Sequence, residues 1–101
     1  MIAERELEFE DSSGAKRPVF VRIGKPVPSE GGPWRCTYQI VGASSRSSVE
    51  ERAAYGEDSM QALLRGLQML GESLAYAGRA HGRLTFLGLP DLGIPRAPTP
   101  P

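Results

Sequence analysis

Histidine and cysteine are almost absent from this sequence of 101 residues, which contains one of each, His81 and Cys36. A single thiol cannot form an internal disulfide, and these two residues cannot supply the four ligands of a usual zinc site. Cys36 alternates with aromatic neighbours and is expected to point inward, and nothing local would activate His81 as a base in its connector. We therefore expect no catalytic residue, no metal site and no cofactor, and the chain is predicted not to be an enzyme.

An excess of either charge is also missing, because 12 basic and 12 acidic residues give a formal net charge of zero. A neutral chain is not strongly attracted to nucleic acid or to an anionic membrane. No run approaches the roughly 20 apolar residues that span a bilayer, and the start MIAERELEFE lacks the pattern of a secretory signal. These absences predict a cytoplasmic protein with no membrane partner and argue against a nucleic-acid partner.

The most regular pattern in the sequence predicts one long helix over about residues 58–78. Asp58 and Gln61 have the spacing of a capping box, in which side chains satisfy free N–H groups at the start of a helix. Gly78 marks the predicted end, since the residue after a helix often has a left-handed backbone. The predicted buried stripe, with apolar residues at three- and four-residue steps, consists of Met60, Leu63, Leu64, Leu67, Leu70, Leu74 and Ala77.

Two glycines inside this helix, Gly66 and Gly71, each cost up to about 1 kcal/mol relative to alanine. We expect Gly71, at the edge of the stripe, to let the helix approach a sheet closely, and Gly66 to do so less. The stripe is expected to form the core. Leu67→Asp should therefore unfold the domain, because it would bury an unpaired charge.

Alternating apolar and polar residues predict β-strands on both sides of the helix. The first strand places Leu7 and Phe9 on one face and four glutamates on the other, where they are expected to be solvated rather than to bind a cation. The fold class is α+β: a four- to five-stranded antiparallel sheet with one long helix packed on one face. Residues 1–94 should form one domain, and the proline-rich residues 95–101 a disordered tail. The predicted strands are residues 3–10, 17–25, 34–41, 49–55 and 83–88.

One face of the predicted sheet carries candidate binding residues. Phe20 lies on the polar face beside Arg22, and an exposed aromatic side chain on a sheet is typical of protein–protein contacts. The segment from Pro26 to Pro33 is a loop long enough to hold further binding residues. The predicted interaction surface consists of Phe20, Arg22, Arg35, Pro26 and Pro28.

Three stretches of the sequence look familiar together: AERELEF at the start, GKPVP after the second strand, and AYGEDSMQALLRGLQMLG followed by LTFLG and DLGIP. They resemble a family of short, uncharacterised bacterial proteins. In that family a strand meander leads through a Gly–acid–acid–x–x–Gln–Ala–Leu helix start to a Gly-Ile-Pro ending. The resemblance implies a bacterial cytosolic protein with this order of strands and helix, and it implies no activity and no site residues.

These observations predict a non-enzymatic protein-interaction module, for example an immunity-type or antitoxin-type protein, that binds a protein partner or forms a homodimer. The alternative is a small-molecule-binding domain with a pocket between helix and sheet, lined by Trp34, Tyr38 and Leu67. A third reading, an enzyme, would need His81 or Cys36 beside carboxylates in a cleft.

Overall fold

The computed structural model describes residues 1–80 and 82–95. His81 and residues 96–101, most of the predicted tail, lie outside this range. Within it the chain forms a six-stranded antiparallel sheet with one helix packed against it, which confirms the predicted α+β class. The elements are β1 (Ala3–Asp11), β2 (Lys16–Ile23), β3 (Val27–Pro28), β4 (Trp34–Val41), β5 (Val49–Gly56), α1 (Ser59–Ala80) and β6 (Gly82–Thr85).

The order of strands across the sheet is β5, β4, β2, β1 and β6, and all pairs are antiparallel. The short strand β3, which the sequence placed in a loop, pairs with the first two residues of β4. β5 pairs along the whole length of β4, so β2 and β3 must lie along its opposite edge. The helix therefore connects the two outer strands of the sheet, β5 and β6, and covers one face.

The core lies between this face and α1, and the alternation predicted for the strands holds in it. Strands β1, β2 and β4 direct alternate side chains toward the helix, and eight of these, all apolar, are at most 5% exposed. The cysteine is among them, which confirms that it points inward. The sheet side of the core consists of Leu7, Phe9, Val19, Val21, Ile23, Cys36, Tyr38 and Ile40.

The buried face of α1 differs from the predicted apolar stripe. Met60 and Leu64 are 69% and 50% exposed, and Leu67 is half-buried. Instead, small residues bring the first half of the helix close to the sheet, and a Cβ on Gly66 would lie 3.1 Å from the sulfur of Cys36. The buried helix residues are Ala62, Gly66, Leu70, Gly71, Leu74 and Ala77.

The predicted capping residues begin the helix as expected. Asp58 Oδ1 accepts a hydrogen bond from the N–H of Gln61 at 2.8 Å, and Gln61 Oε1 accepts one from the N–H of Glu57 at 2.7 Å. The helix extends two residues past its predicted end, since Gly78 is helical and α1 continues to Ala80. No helix in the described part of the chain has both the length and the apolarity required to cross a membrane.

The segment after β6 covers one flank of α1. Arg5 donates hydrogen bonds to the carbonyls of Leu92 and Gly93 at 2.8 and 3.2 Å, and its guanidinium stacks 4.1 Å from the ring centroid of Phe86. Leu92 and Ile94 pack against the core from this side. The segment after β6 thus covers the flank of the helix that faces β6.

Candidate functional site

An open groove of about 890 Å³ lies between β5 and α1, and we refer to it as the β5–α1 groove. Its apolar floor is formed by Ile40, Ala43, Ala54 and Ala77, which are buried. Concave sites of about 300–1,000 Å³ with an apolar base and a few polar groups are typical of binding sites.

The groove exists because β5 carries no large apolar side chain beneath the helix. Its helix-facing positions are Glu50, Arg52, Ala54 and Gly56, as the register with the core residues of β4 requires. Arg52 Nε donates a hydrogen bond to Glu50 Oε1 at 2.8 Å, and this bond raises the pKa of the Arg52 guanidinium. Small residues and an ion pair on β5 thus occupy positions at which the other strands carry large apolar side chains.

The helix side of the groove presents both apolar and charged side chains. Met69 is 38% exposed and Tyr76 is 62% exposed, although both are large residues. Arg65 closes one end by donating a hydrogen bond from Nη1 to the carbonyl of Tyr55 at 3.0 Å. The helix residues that line the groove are Arg65, Gln68, Met69, Glu72, Ser73, Tyr76 and Ala77.

The groove borders a free sheet edge. Within residues 1–80 and 82–95, β5 pairs with β4 and with no second strand. The carbonyl of Ser48 accepts a hydrogen bond from the N–H of Gly42 at 2.8 Å, which places the even-numbered residues of β5 toward β4. The backbone N–H and C=O groups that point outward therefore belong to Val49, Glu51, Ala53 and Tyr55, and of these the Tyr55 carbonyl already accepts the hydrogen bond from Arg65.

Three members of the predicted interaction surface lie on the face of the sheet that α1 does not cover. Arg22 forms an ion pair with Glu4, with Nε and Oε2 2.5 Å apart, and its guanidinium lies 5.9 Å from the ring centroid of Phe20. Phe20 is half-buried. Arg35 is on β4, and β2 separates it from the glutamates of β1.

The two predicted prolines lie beside the start of β4 and away from the β5–α1 groove. Pro28 is exposed and pairs with Trp34 through β3, and Pro26 is half-buried. Both lie on the edge of β4 opposite β5. The predicted surface and the groove are therefore two separate regions, which meet only where the side chains of Ala53 and Tyr55 on β5 reach the uncovered face.

The predicted pocket between helix and sheet was wrong in position. Trp34 and Leu67 pack against the core, and Tyr38 is 1% exposed with its hydroxyl 2.9 Å from Ser73 Oγ. None of the three predicted lining residues borders the groove. The sequence signal that could have located it is the run Glu50, Glu51 and Arg52, which places charge at both faces of one strand.

Two other kinds of site, a reactive thiol and a metal site, have little support in the described residues. Cys36 is buried, and burial raises the pKa of its thiol, which keeps the sulfur protonated and weakly nucleophilic. No group of three histidine, cysteine, aspartate or glutamate residues within residues 1–80 and 82–95 is arranged to hold a metal ion. The groove is thus the strongest candidate site.

Comparison with known proteins gives one match. The model of a family described as "Domain of unknown function (DUF6968)" matches residues 3–96 of this chain. No curated protein and no solved structure matched.

Proposed function

The chain belongs to this family of unknown function, and we propose that it is a non-enzymatic protein-interaction module that binds a partner strand along β5. The observation that carries the proposal is the free backbone edge of β5 beside the β5–α1 groove. In binding by strand addition, an extended segment forms main-chain hydrogen bonds with a sheet edge and places alternate side chains in neighbouring pockets.

A strand added along β5 would direct its side chains alternately to the two faces of the sheet, and β5 offers a different surface on each face. Every second side chain of the added strand would enter the groove above the apolar floor of Ile40 and Ala54. The intervening side chains would lie beside Val49 and Tyr55, which are 62% and 49% exposed. Backbone pairing would provide affinity, and the groove would select the side chains.

The test is a single substitution at the edge. Ala53→Pro removes an outward N–H and leaves the β4–β5 hydrogen bonds in place, because proline is tolerated where the N–H of an edge strand faces solvent. We expect this variant to keep its circular dichroism spectrum and to lose capture of protein partners from a bacterial lysate. Phe20→Glu is the matched control on the uncovered face. Capture that is lost with Phe20→Glu but kept with Ala53→Pro would assign binding to the originally predicted surface instead.

We also propose that the protein acts in a bacterial cytoplasm, as an immunity-type or antitoxin-type protein that blocks a partner. The support is compositional: arginine greatly outnumbers lysine, and alanine, glycine and proline are abundant, as in proteins from GC-rich bacterial genomes. The only cysteine is buried and free, as is common in a reducing compartment. Co-purification with a single toxic partner from a bacterial lysate would support this assignment, and a secreted form would contradict it.

A second candidate function is small-molecule binding in the same groove. The groove volume of about 890 Å³ and the apolar floor favour it. A ligand would raise the melting temperature in proportion to its binding. Ala54→Phe would fill the floor and should abolish that rise, whereas Ala53→Pro should leave it unchanged.

A further inference from the structure

We propose that the strand added to β5 is β5 of a second copy of this chain, paired antiparallel about a two-fold axis at Ala53. This inference rests on the proposed function and names the partner. The dimer would join two sheets edge to edge, with both helices on the same side.

A two-fold axis restricts the possible registers of such a pair. The outward backbone groups belong to the odd-numbered residues of β5, so hydrogen bonding requires odd residues to face odd residues. Two registers keep seven of the eight residues of β5 paired, with the axis at Arg52 or at Ala53. Each of these registers places the residue at the axis directly opposite its own copy.

Charge selects between these two registers. An axis at Arg52 places two guanidinium groups opposite each other. Like charges directly opposite in a sheet are destabilising. An axis at Ala53 instead places Glu51 opposite Tyr55 of the second copy and Arg52 opposite Ala54 of the second copy. In this register no like charges face each other.

The helix supports the same axis independently. Tyr55 and Arg65 are in contact, and from there β5 and α1 run in opposite directions along the groove. Two residues along a strand advance about 6.6 Å, which corresponds to about four residues of a helix. Met69 is therefore level with Ala53. Its partly exposed side chain would lie close to the two-fold axis.

The dimer also accounts for exposed apolar side chains that the monomer leaves uncovered. Met69, at the middle of the flank, would face Met69 of the second copy across the two joined grooves. Val49 and Tyr55 would lie along the joined edge on the other face. In a two-fold dimer the same surface of each copy must fit itself. The surface formed by β5 and the adjoining flank of α1 does so when the axis passes through Ala53.

Three variants of the full-length protein, each with one added cysteine, test the register: Glu51→Cys, Arg52→Cys and Ala53→Cys. A hydrogen-bonded antiparallel pair has Cα atoms about 5.5 Å apart, which is within the range for a disulfide. After mild oxidation we expect Ala53→Cys to form disulfide dimers at least tenfold more than the other two variants. The wild-type protein is the control, because Cys36 is buried and should form none.

Light scattering of the reduced proteins gives the complementary measurement. We expect a dimer for the wild type and a folded monomer for Ala53→Pro. Preferential crosslinking at position 51 or 52 would overturn the register. A wild-type monomer at millimolar concentration, without crosslinks in any variant, would overturn the dimer. If Ala53→Pro still abolished capture of another protein, the proposed strand-addition function would stand while the inference about a second copy failed. If capture were also unchanged, both would fail.

Discussion

A Cβ on Gly66 would lie 3.1 Å from the sulfur of Cys36 and 3.2 Å from Cδ1 of Ile23, so α1 approaches the sheet here more closely than most residues with a side chain would permit. The sulfur is itself fixed, since it lies on a central strand and is 0% exposed. This contact sets the height of the helix above β4. Leu64, two residues from Gly66 and therefore on the opposite side of the helix, faces solvent.

We expect Gly66→Val to destabilise the fold by about 1–3 kcal/mol, because added methyl groups in a filled core force side chains or backbone to shift. Gly78→Ala is the matched control in the same helix, since a Cβ there would meet no atom within 4 Å. It should stabilise by about 0.5–1 kcal/mol through helix propensity alone. Urea unfolding of both variants gives the two values. Equal effects would mean that Gly66 is not a point of close packing.

The sequence could predict the class of fold but not this packing. Alternation in β1, β2 and β4 determines which side chains face the helix, and the strands followed it. In α1 hydrophobicity alone was misleading, because the small residues Ala62 and Gly66 are buried against the sheet while Met60 and Leu64 are exposed. These residues add little to an apolar stripe, and their role appears only once the strand opposite them is known.

Leu70 and Leu64 show how the core face of α1 in the structure differs from the predicted apolar stripe. Leu70 is 2% exposed and Leu64 is 50% exposed, although both belonged to the predicted set. We expect Leu70→Ala to cost about 2–5 kcal/mol, as for other buried leucines, and Leu64→Ala to change stability by less than about 0.5 kcal/mol. Thermal and chemical unfolding measure both. A large loss for Leu64→Ala would restore the stripe as originally predicted.

The hydrogen bond between Tyr38 and Ser73 ties the centre of the sheet to α1 at the end of the groove. The oxygens are 2.9 Å apart, and Tyr38 is almost fully buried. A double-mutant cycle with Tyr38→Phe and Ser73→Ala should give a coupling energy of about 0.5–1.5 kcal/mol, the usual net value of such a bond. Strictly additive effects would show that this bond contributes nothing to stability.

The candidate site was harder to predict than the fold, because it depends on topology. A free edge at β5 follows from β6 pairing with β1 at the far side of the sheet, a long-range choice that no local pattern encodes. Had β6 paired with β5, the groove would have been closed by a strand. Alternation within β2 was sufficient to place Phe20 on the face of the sheet that α1 does not cover, as the sequence predicts.

The turn between β1 and β2 predicts a pH dependence of stability. Asp11 Oδ1 accepts hydrogen bonds from the Ser13 hydroxyl at 2.6 Å and from the backbone N–H groups of Ser13 and Ala15 at 2.9 and 3.0 Å. The Ser13 hydroxyl is the main cause that lowers the pKa of Asp11 below its ordinary value of 3.8. A carboxyl whose pKa is lower in the folded state stabilises the fold above its unfolded pKa, and this stability is lost as the pH falls through the folded pKa.

We therefore expect Asp11→Asn to lower the melting temperature at pH 6, where wild-type Asp11 is ionised, and to have a smaller effect as the pH falls through the lowered folded-state pKa of that carboxyl. Ser13→Ala removes the main cause of the lowered pKa and should reduce the same pH-dependent difference while retaining the carboxylate. Melting curves of the three proteins at several pH values test this. A deficit of Asp11→Asn that stays equally large as the pH falls would show that the substitution acts through the shape of the turn and not through the charge.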